Sequence, residues 1–173
     1  MKTFFKGFCI GLLSLSLLGL LWFLVLQPGL TNKEAQDLKE EYAQPLPGES
    51  SGELPAGKEQ AASLVNLSAL QAEYPDIQGW ISIPGTCVDY PVLQSSADEP
   101  EYYLRRTYKG EHRTAGSIFF QWDCSPESRN LVVYGHNMSD GTMFAVLQKM
   151  ADEAFRTEHS KILLQTSDGL WEY

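Results

Sequence analysis

Cysteine is scarce in this chain, with Cys9, Cys87 and Cys124 the only three among 173 residues. That count excludes a disulfide-stapled scaffold, although one bridge between Cys87 and Cys124 stays open, because sequence does not report the separation of their Cα atoms. Metal-binding spacing is missing as well. His112, His136 and His159 are scattered, and neither C-x-x-C nor H-E-x-x-H occurs, so no metal site and no cofactor are expected. A G-x-S-x-G elbow is also absent, which counts against a serine hydrolase pairing Ser117 or Ser139 with His136. Positive charge is in short supply: 13 Lys and Arg stand against 22 Asp and Glu, for a net charge of −9. Lys2 and Lys6 are the only charges before Gln27, so the remainder has 13 − 2 = 11 basic and 22 acidic residues, or −11. Binding to a phosphate backbone depends on neutralising it with Lys and Arg, so nucleic acid is not an expected partner.

What the chain does have, at its front, is an uninterrupted apolar run. Residues 8–26, FCIGLLSLSLLGLLWFLVL, hold no charge and only Ser14 and Ser16 as polar members. At about 1.5 Å per residue such a run is just long enough to span a bilayer. Basic residues precede it and every acidic residue follows it, so the positive-inside bias leaves residues 1–7 in the cytoplasm and exports the rest. A cleavable signal peptide is the competing reading. The exit sequence Gln27-Pro28-Gly29-Leu30 lacks an A-x-A arrangement of small residues and the run is longer than a usual signal core, which favours a retained single-pass anchor with an extracellular C-terminal domain.

Residues 27–60, including QPLPGESSGELPAGKE, are rich in Pro, Gly, Ser and Glu and poor in bulky apolar side chains. Such a composition buries too little surface to offset its ordering entropy, so a stalk is expected here, with helical character around Lys33–Tyr42. From Ala61 the pattern changes. Leu64, Leu67 and Leu70 recur at three-residue intervals and Pro75 closes the segment, which predicts a short amphipathic helix over Ala61–Tyr74. Short β-type runs follow at Trp80–Pro84, Val88–Leu93, Ala115–Trp122, Asn130–Tyr134 and Lys161–Thr166, with helix candidates at Met143–Met150 and Asp152–Thr157. Pro84 and Pro91 cannot donate to a ladder, so each is expected at a strand end, bulge or edge. Ser167-Asp168-Gly169 signals a turn before a further strand at Trp171–Tyr173. Punctuated strands of this kind indicate a mainly β domain over residues 61–173, a sandwich or barrel with short flanking helices. Asn66-Leu67-Ser68 and Asn137-Met138-Ser139 fit the glycosylation acceptor pattern, a short and common motif that is given no weight.

The segment Asn130–Phe144, NLVVYGHNMSDGTMF, carries the clearest chemical signal. Leu131–Tyr134 favour a buried strand, and Gly135, Asn137, Asp140 and Gly141 supply turn chemistry, so His136 is delivered to a sheet rim on a rigid support. An imidazole there can carry protons near neutral pH, although an isolated histidine is more often simply satisfied by a neighbouring carbonyl.

Four segments taken together, GWISIPGTCVDYPVLQ (Gly79–Gln94), EYYL (Glu101–Leu104), AGSIFF (Ala115–Phe120) and NLVVYGHNMSDGTMF, resemble the class B sortases in order and spacing, from about Ala61 onward. The resemblance implies a closed β-barrel cysteine transpeptidase on the outer face of a Gram-positive cell membrane. Such an enzyme cleaves a C-terminal sorting motif of a secreted protein and joins the new carboxyl end to a cell-wall or pilin amine. His136 matches the family's catalytic histidine. Leu104 and Tyr134 are candidates for lining a peptide groove, set against the plainer reading that both are core. The family's nucleophilic cysteine, in a TLxTC-like segment, and its arginine have no match between Lys161 and Tyr173. The barrel is therefore expected to be incomplete at its C-terminal side and these 173 residues inactive by themselves. Neither remaining cysteine is a good substitute: Cys124 is flanked by Asp123 and Glu127, and Cys87 opens an apolar strand. Arg105 and Arg106 are expected as a solvated pair, and Trp80, Phe119, Phe120 and Trp122 as packing. The alternative is a degenerate, non-catalytic, membrane-tethered module that binds peptides without cutting them.

Overall fold

The computed structural model describes residues 2–21, 27–44 and 64–173. Its main body is a six-stranded sheet built from β3 (Ile77–Ser82), β4 (Asp89–Gln94), β5 (Ile118–Phe120), β6 (Val133–Tyr134), β7 (Leu163–Thr166) and β8 (Gly169–Glu172), in the spatial order β6-β5-β4-β3-β7-β8. All neighbours are antiparallel except β4 and β5, which run parallel. That parallel pair needs a long crossover, and residues 95–117 supply it. Among the described residues the sheet is open, with β6 and β8 as its edges.

Both faces of the central strands are covered, which is why β3, β4 and β5 read as near-continuous apolar runs. Ile81, Val92, Ile118 and Phe120 enter one core with Tyr90, Met143 and Val146. Their neighbours Trp80, Leu93 and Phe119 point the other way, into a second core with Leu67, Leu70, Ile77 and Tyr103. The second core is closed by α3 (Leu67–Glu73), which is shorter than the span 61–74 expected for it. Asn66 stops it from starting earlier by capping the Ala69 N–H through its side chain at 3.1 Å, the role its side chain plays in that Asn-Leu-Ser triplet. Leu64 lies instead in β2 (Leu64–Val65), and residues 61–63 are outside the described ones. Pro84 falls just past β3, as a strand-end proline should. Pro91 sits within β4, one residue before β5 begins to pair at Val92. The helix expected from Met143 is wound as a 3₁₀ segment, Ala145–Ala151, and the next is α4 (Glu153–Glu158), capped by Asp152. The Ser167–Gly169 turn does join β7 to a new strand, β8.

The stalk reading of residues 27–60 needs correction at its start. Residues 27–41 form α2 (Gln27–Glu41), and β1 (Ala43–Gln44) pairs with β2. Thr31, Ala35 and Leu38, at i, i+4 and i+7, are buried against the domain. Only one of the three is bulky and apolar, so composition hid the stripe. Polar contacts add to it: Arg113 grips Glu34 with both terminal guanidinium nitrogens (2.5 and 2.7 Å), and the Lys39 ammonium meets Asp89 at 2.8 Å. Residues 45–60 of the stalk reading lie outside the described residues. The anchor reading, 8–26, overlaps α1 (Lys2–Leu21) and ends in residues that are likewise not described. Among the described residues no helix is long and apolar enough to cross a membrane.

Candidate active site

β6 ends at Tyr134, and Gly135 carries the chain to His136. A β-carbon at position 135 would lie 2.3 Å from Ile118 Cδ1 and 2.7 Å from Phe144 Cδ2, so any larger residue would have to push both side chains aside for the strand end to press this closely on the core. The half-buried His136 ring then faces the 3₁₀ turn Tyr102–Arg105, with Nε2 2.8 Å from the Leu104 carbonyl oxygen. A carbonyl can only accept, so Nε2 carries the hydrogen and, in the neutral ring, Nδ1 keeps its lone pair. The imidazole is thus oriented with one nitrogen committed and one open to proton transfer.

Both partners of that contact are held from outside. On one side, the Ser117 N–H donates to the Tyr103 carbonyl (3.0 Å) and Arg113 N–H to the Arg105 carbonyl (2.9 Å), fixing the turn that presents Leu104. On the other, the loop after His136 closes on itself. Phe144 N–H donates to the His136 carbonyl at 2.9 Å, Asn137 bridges Met143, and Asp140 accepts from both the Thr142 N–H (2.8 Å) and its hydroxyl (2.6 Å).

Of the groove candidates, Leu104 is half-buried against the second core, and its carbonyl, rather than its side chain, meets His136. Nothing in the sequence marks a backbone oxygen for that role. Tyr134 is not core. It is 44% exposed, with its ring tilted on Phe119 at 5.5 Å and its hydroxyl donating to Gln121 Oε1 at 3.0 Å. Trp122, expected as packing, is likewise exposed on the surface. Arg106 is not simply solvated: its guanidinium donates to the Gly110 carbonyl and lies 4.7 Å from the centre of the Tyr102 ring, whereas Arg105 is exposed.

Cys87 and Cys124 are both free thiols. Cys87 Sγ donates to the Gly141 carbonyl at 3.2 Å, and burial pushes its thiol above the ordinary range, the wrong direction for a nucleophile. Cys124 Sγ points at the Asn130 carbonyl, 3.5 Å away. The Ser117 hydroxyl donates to the Arg106 carbonyl at 2.8 Å, so its proton is not offered to His136. Among the described residues, no three His, Cys, Asp or Glu side chains cluster as a metal site.

The arrangement has counterparts in known proteins, although no protein-family model matches the chain. Sortase B of Listeria monocytogenes is 41% identical over 109 residues, covering 62% of this chain and 43% of that protein. The chain is a relative of the class B sortases. Sortase B of Staphylococcus aureus is 34% identical over 108 residues, again 43% of its length. Among solved structures, sortase B from Bacillus anthracis in complex with AAEK1 superimposes with a TM-score of 0.61 at 35% identity, covering 81% of this chain and 61% of that one. A sortase B complexed with triglycine gives 0.57 at 33% identity, over 61% and 50% of the two chains. The Staphylococcus aureus sortase B–substrate complex gives 0.59 at 27% identity, over 82% and 57%. This sortase relative therefore spans less than half the length of the curated relatives it matches, and its sheet is a sortase β-fold as far as those described strands extend.

Proposed function

We propose that this chain serves sortase transpeptidation at an outer membrane face, with His136 as the proton carrier. The observation that carries the reading is the His136 ring, seated at the end of an edge strand with Nε2–H committed to Leu104 O. In that reaction a thiolate attacks the sorting-motif carbonyl, and the peptide C–N bond breaks to give a thioacyl enzyme. The imidazolium gives its proton to the departing amine. The neutral ring then takes a proton from the incoming cell-wall or pilin amine as the new amide forms and the thiolate leaves. An arginine would stabilise the developing oxyanion, for about 2.7–4 kcal/mol per donor in comparable sites. None of the described residues offers the thiol or that arginine at the site, so the reading requires both to be brought to it. Leu104, whose carbonyl meets the His136 ring, and the exposed Tyr134 are the residues proposed to meet the sorting peptide.

Relatives solved with triglycine and with a substrate support a peptide donor and an amine acceptor as partners. The anchor reading has support of its own: Leu12, Leu13, Leu15, Leu17, Leu18 and Leu21 of α1 are 55–71% exposed, a surface that lipid would cover.

The test is to read the coding frame beyond the Tyr173 codon and assay the protein made from its own gene with a sorting peptide and triglycine. A cysteine in a TLxTC-like context, an amide-linked product, and loss of that product in His136→Ala are the expected results. A frame that closes at once, with no product, would refute the reading. The non-catalytic peptide-binding module, favoured by the unsuitable thiols of Cys87 and Cys124, would then be left.

A further inference from the structure

The loop that follows His136 is fastened to a part of the molecule that has no place in the chemistry above. Met143 is 1% exposed and has φ = 56°, a left-handed backbone that a side-chain-bearing residue adopts only when its surroundings impose it. Its N–H donates to the Tyr90 hydroxyl at 3.1 Å. That hydroxyl in turn donates to the Asn32 side-chain oxygen on α2. One phenol therefore joins α2 to the strained end of the loop, and the next amide, Phe144 N–H, holds the His136 carbonyl. Asn32 itself is placed by the Arg113–Glu34 pair, two residues further along the same helix.

We infer that Asn32 and Tyr90 are positioning residues for His136, acting through Met143, so that the helix following the apolar N-terminal segment is a working part of the site and not a spacer. The inference rests on His136 being the proton carrier only for its consequence in catalysis; the mechanical link is independent of turnover. Without the Tyr90 hydroxyl a buried N–H loses its partner, and the left-handed residue loses the bond that holds it. The loop then samples other backbones, and the Leu104 contact of the imidazole becomes intermittent. Asn32 acts one bond further out. Removing its oxygen frees the phenol to rotate away from Met143.

The experiment uses the full chain and compares Tyr90→Phe, Asn32→Ala, Asn32→Asp and Lys39→Met. Amide hydrogen exchange at Met143 and Phe144, and the ring nitrogen signals of His136 by NMR, are read against the amides of β3 and β4. In Tyr90→Phe and Asn32→Ala, exchange at Met143 and Phe144 should rise about five- to tenfold beyond any change in the strands, the factor set by losing one ordinary hydrogen bond. The His136 Nε2–H signal should broaden or move with it. Asn32→Asp keeps an acceptor oxygen and should restore the parent behaviour. Lys39→Met weakens the α2 docking without touching the relay, and should leave the loop-to-strand ratio unchanged. If the loop amides change only in proportion to the strands, or Asn32→Asp behaves as Asn32→Ala, the positioning role is wrong. Should Tyr90→Phe fail to fold, the half-buried Asn32 pair decides alone. None of these readouts needs a thiol or a substrate, so a failed transpeptidation assay leaves this inference standing, and the reverse holds too.

Discussion

Replacing Gly116 by alanine would place a methyl carbon 2.3 Å from the Leu104 carbonyl oxygen and 2.6 Å from that of Tyr103, at a residue whose φ is +57°. Two costs follow from these numbers. The left-handed backbone disfavours any L side chain by roughly 1–2 kcal/mol. The contact is with backbone, which cannot swing aside as a side-chain tip can, so relieving it moves the 3₁₀ turn at about 1–3 kcal/mol, the usual range for overpacking. Together they give roughly 2–5 kcal/mol, offset by about 0.4–1 kcal/mol from the less flexible unfolded chain. The displaced oxygen is also the acceptor for His136 Nε2–H, so the imidazole should lose its fixed tautomer along with the stability. Gly141→Ala is the matched control: φ there is +85°, but nothing lies within 4 Å of the added carbon, so only the backbone cost applies. Urea unfolding followed by tryptophan fluorescence measures both variants, and the ring nitrogen signals of His136 report the site. If Gly116→Ala is no less stable than Gly141→Ala, the close approach of Gly116 to the Leu104 turn does not hold the site as argued.

Two further outcomes are expected. The Thr31 hydroxyl oxygen is buried without a hydrogen-bond partner among the described residues, beside a cavity of about 30 Å³ lined by Glu34, Ala35, Tyr90 and Met143. Thr31→Val should therefore stabilise the chain by about 1 kcal/mol in thermal or urea unfolding, whereas a loss of similar size would mean that a bridging water satisfies the hydroxyl. At high pH, hydrogen bonding to Glu73 pushes Tyr42 and Tyr74 up to about 12, and burial pushes Tyr90 and Tyr103 above the usual phenol range, with Asp76 adding to the effect on Tyr103. Each of these groups holds its proton more tightly folded than unfolded. The stability they contribute is present in full below pH ~10, the ordinary phenol value, and is lost as pH climbs toward 12 and beyond. Phenolate absorbance should show a late-titrating fraction of the 8 tyrosines that ionises together with unfolding; a single step for all of them near pH ~10 would contradict these environments.

Much of the site's frame was legible locally. Alternating and continuous apolar runs located β3, β4, β5 and β7, and Gly135, Asn137, Asp140 and Gly141 marked the loop that presents His136. Boundaries moved where a side chain outcompeted propensity, as at Asn66, which starts α3 later than its leucine spacing suggests. For Tyr134 the core alternative fails and the exposed position of the groove candidate stands, because an apolar run does not say which strand will be an edge, and among the described residues β6 is one.

The sequence by itself determined the strands of the six-stranded sheet, the acidic net charge and the turn that carries His136, because apolar periodicity and turn chemistry act over a few neighbouring residues; it did not show β1 and β2, two-residue strands whose pairing joins distant segments. The tertiary structure alone decided that the imidazole rests on the Leu104 carbonyl, 32 residues away, and that α2 docks on the sheet and reaches the His136 loop through Asn32, Tyr90 and Met143. A backbone oxygen is chemically the same at every position, and a helix face of Thr31, Ala35 and Leu38 is hardly more apolar than a solvated one. Only their placement in space, set by packing between distant segments, gives them a role.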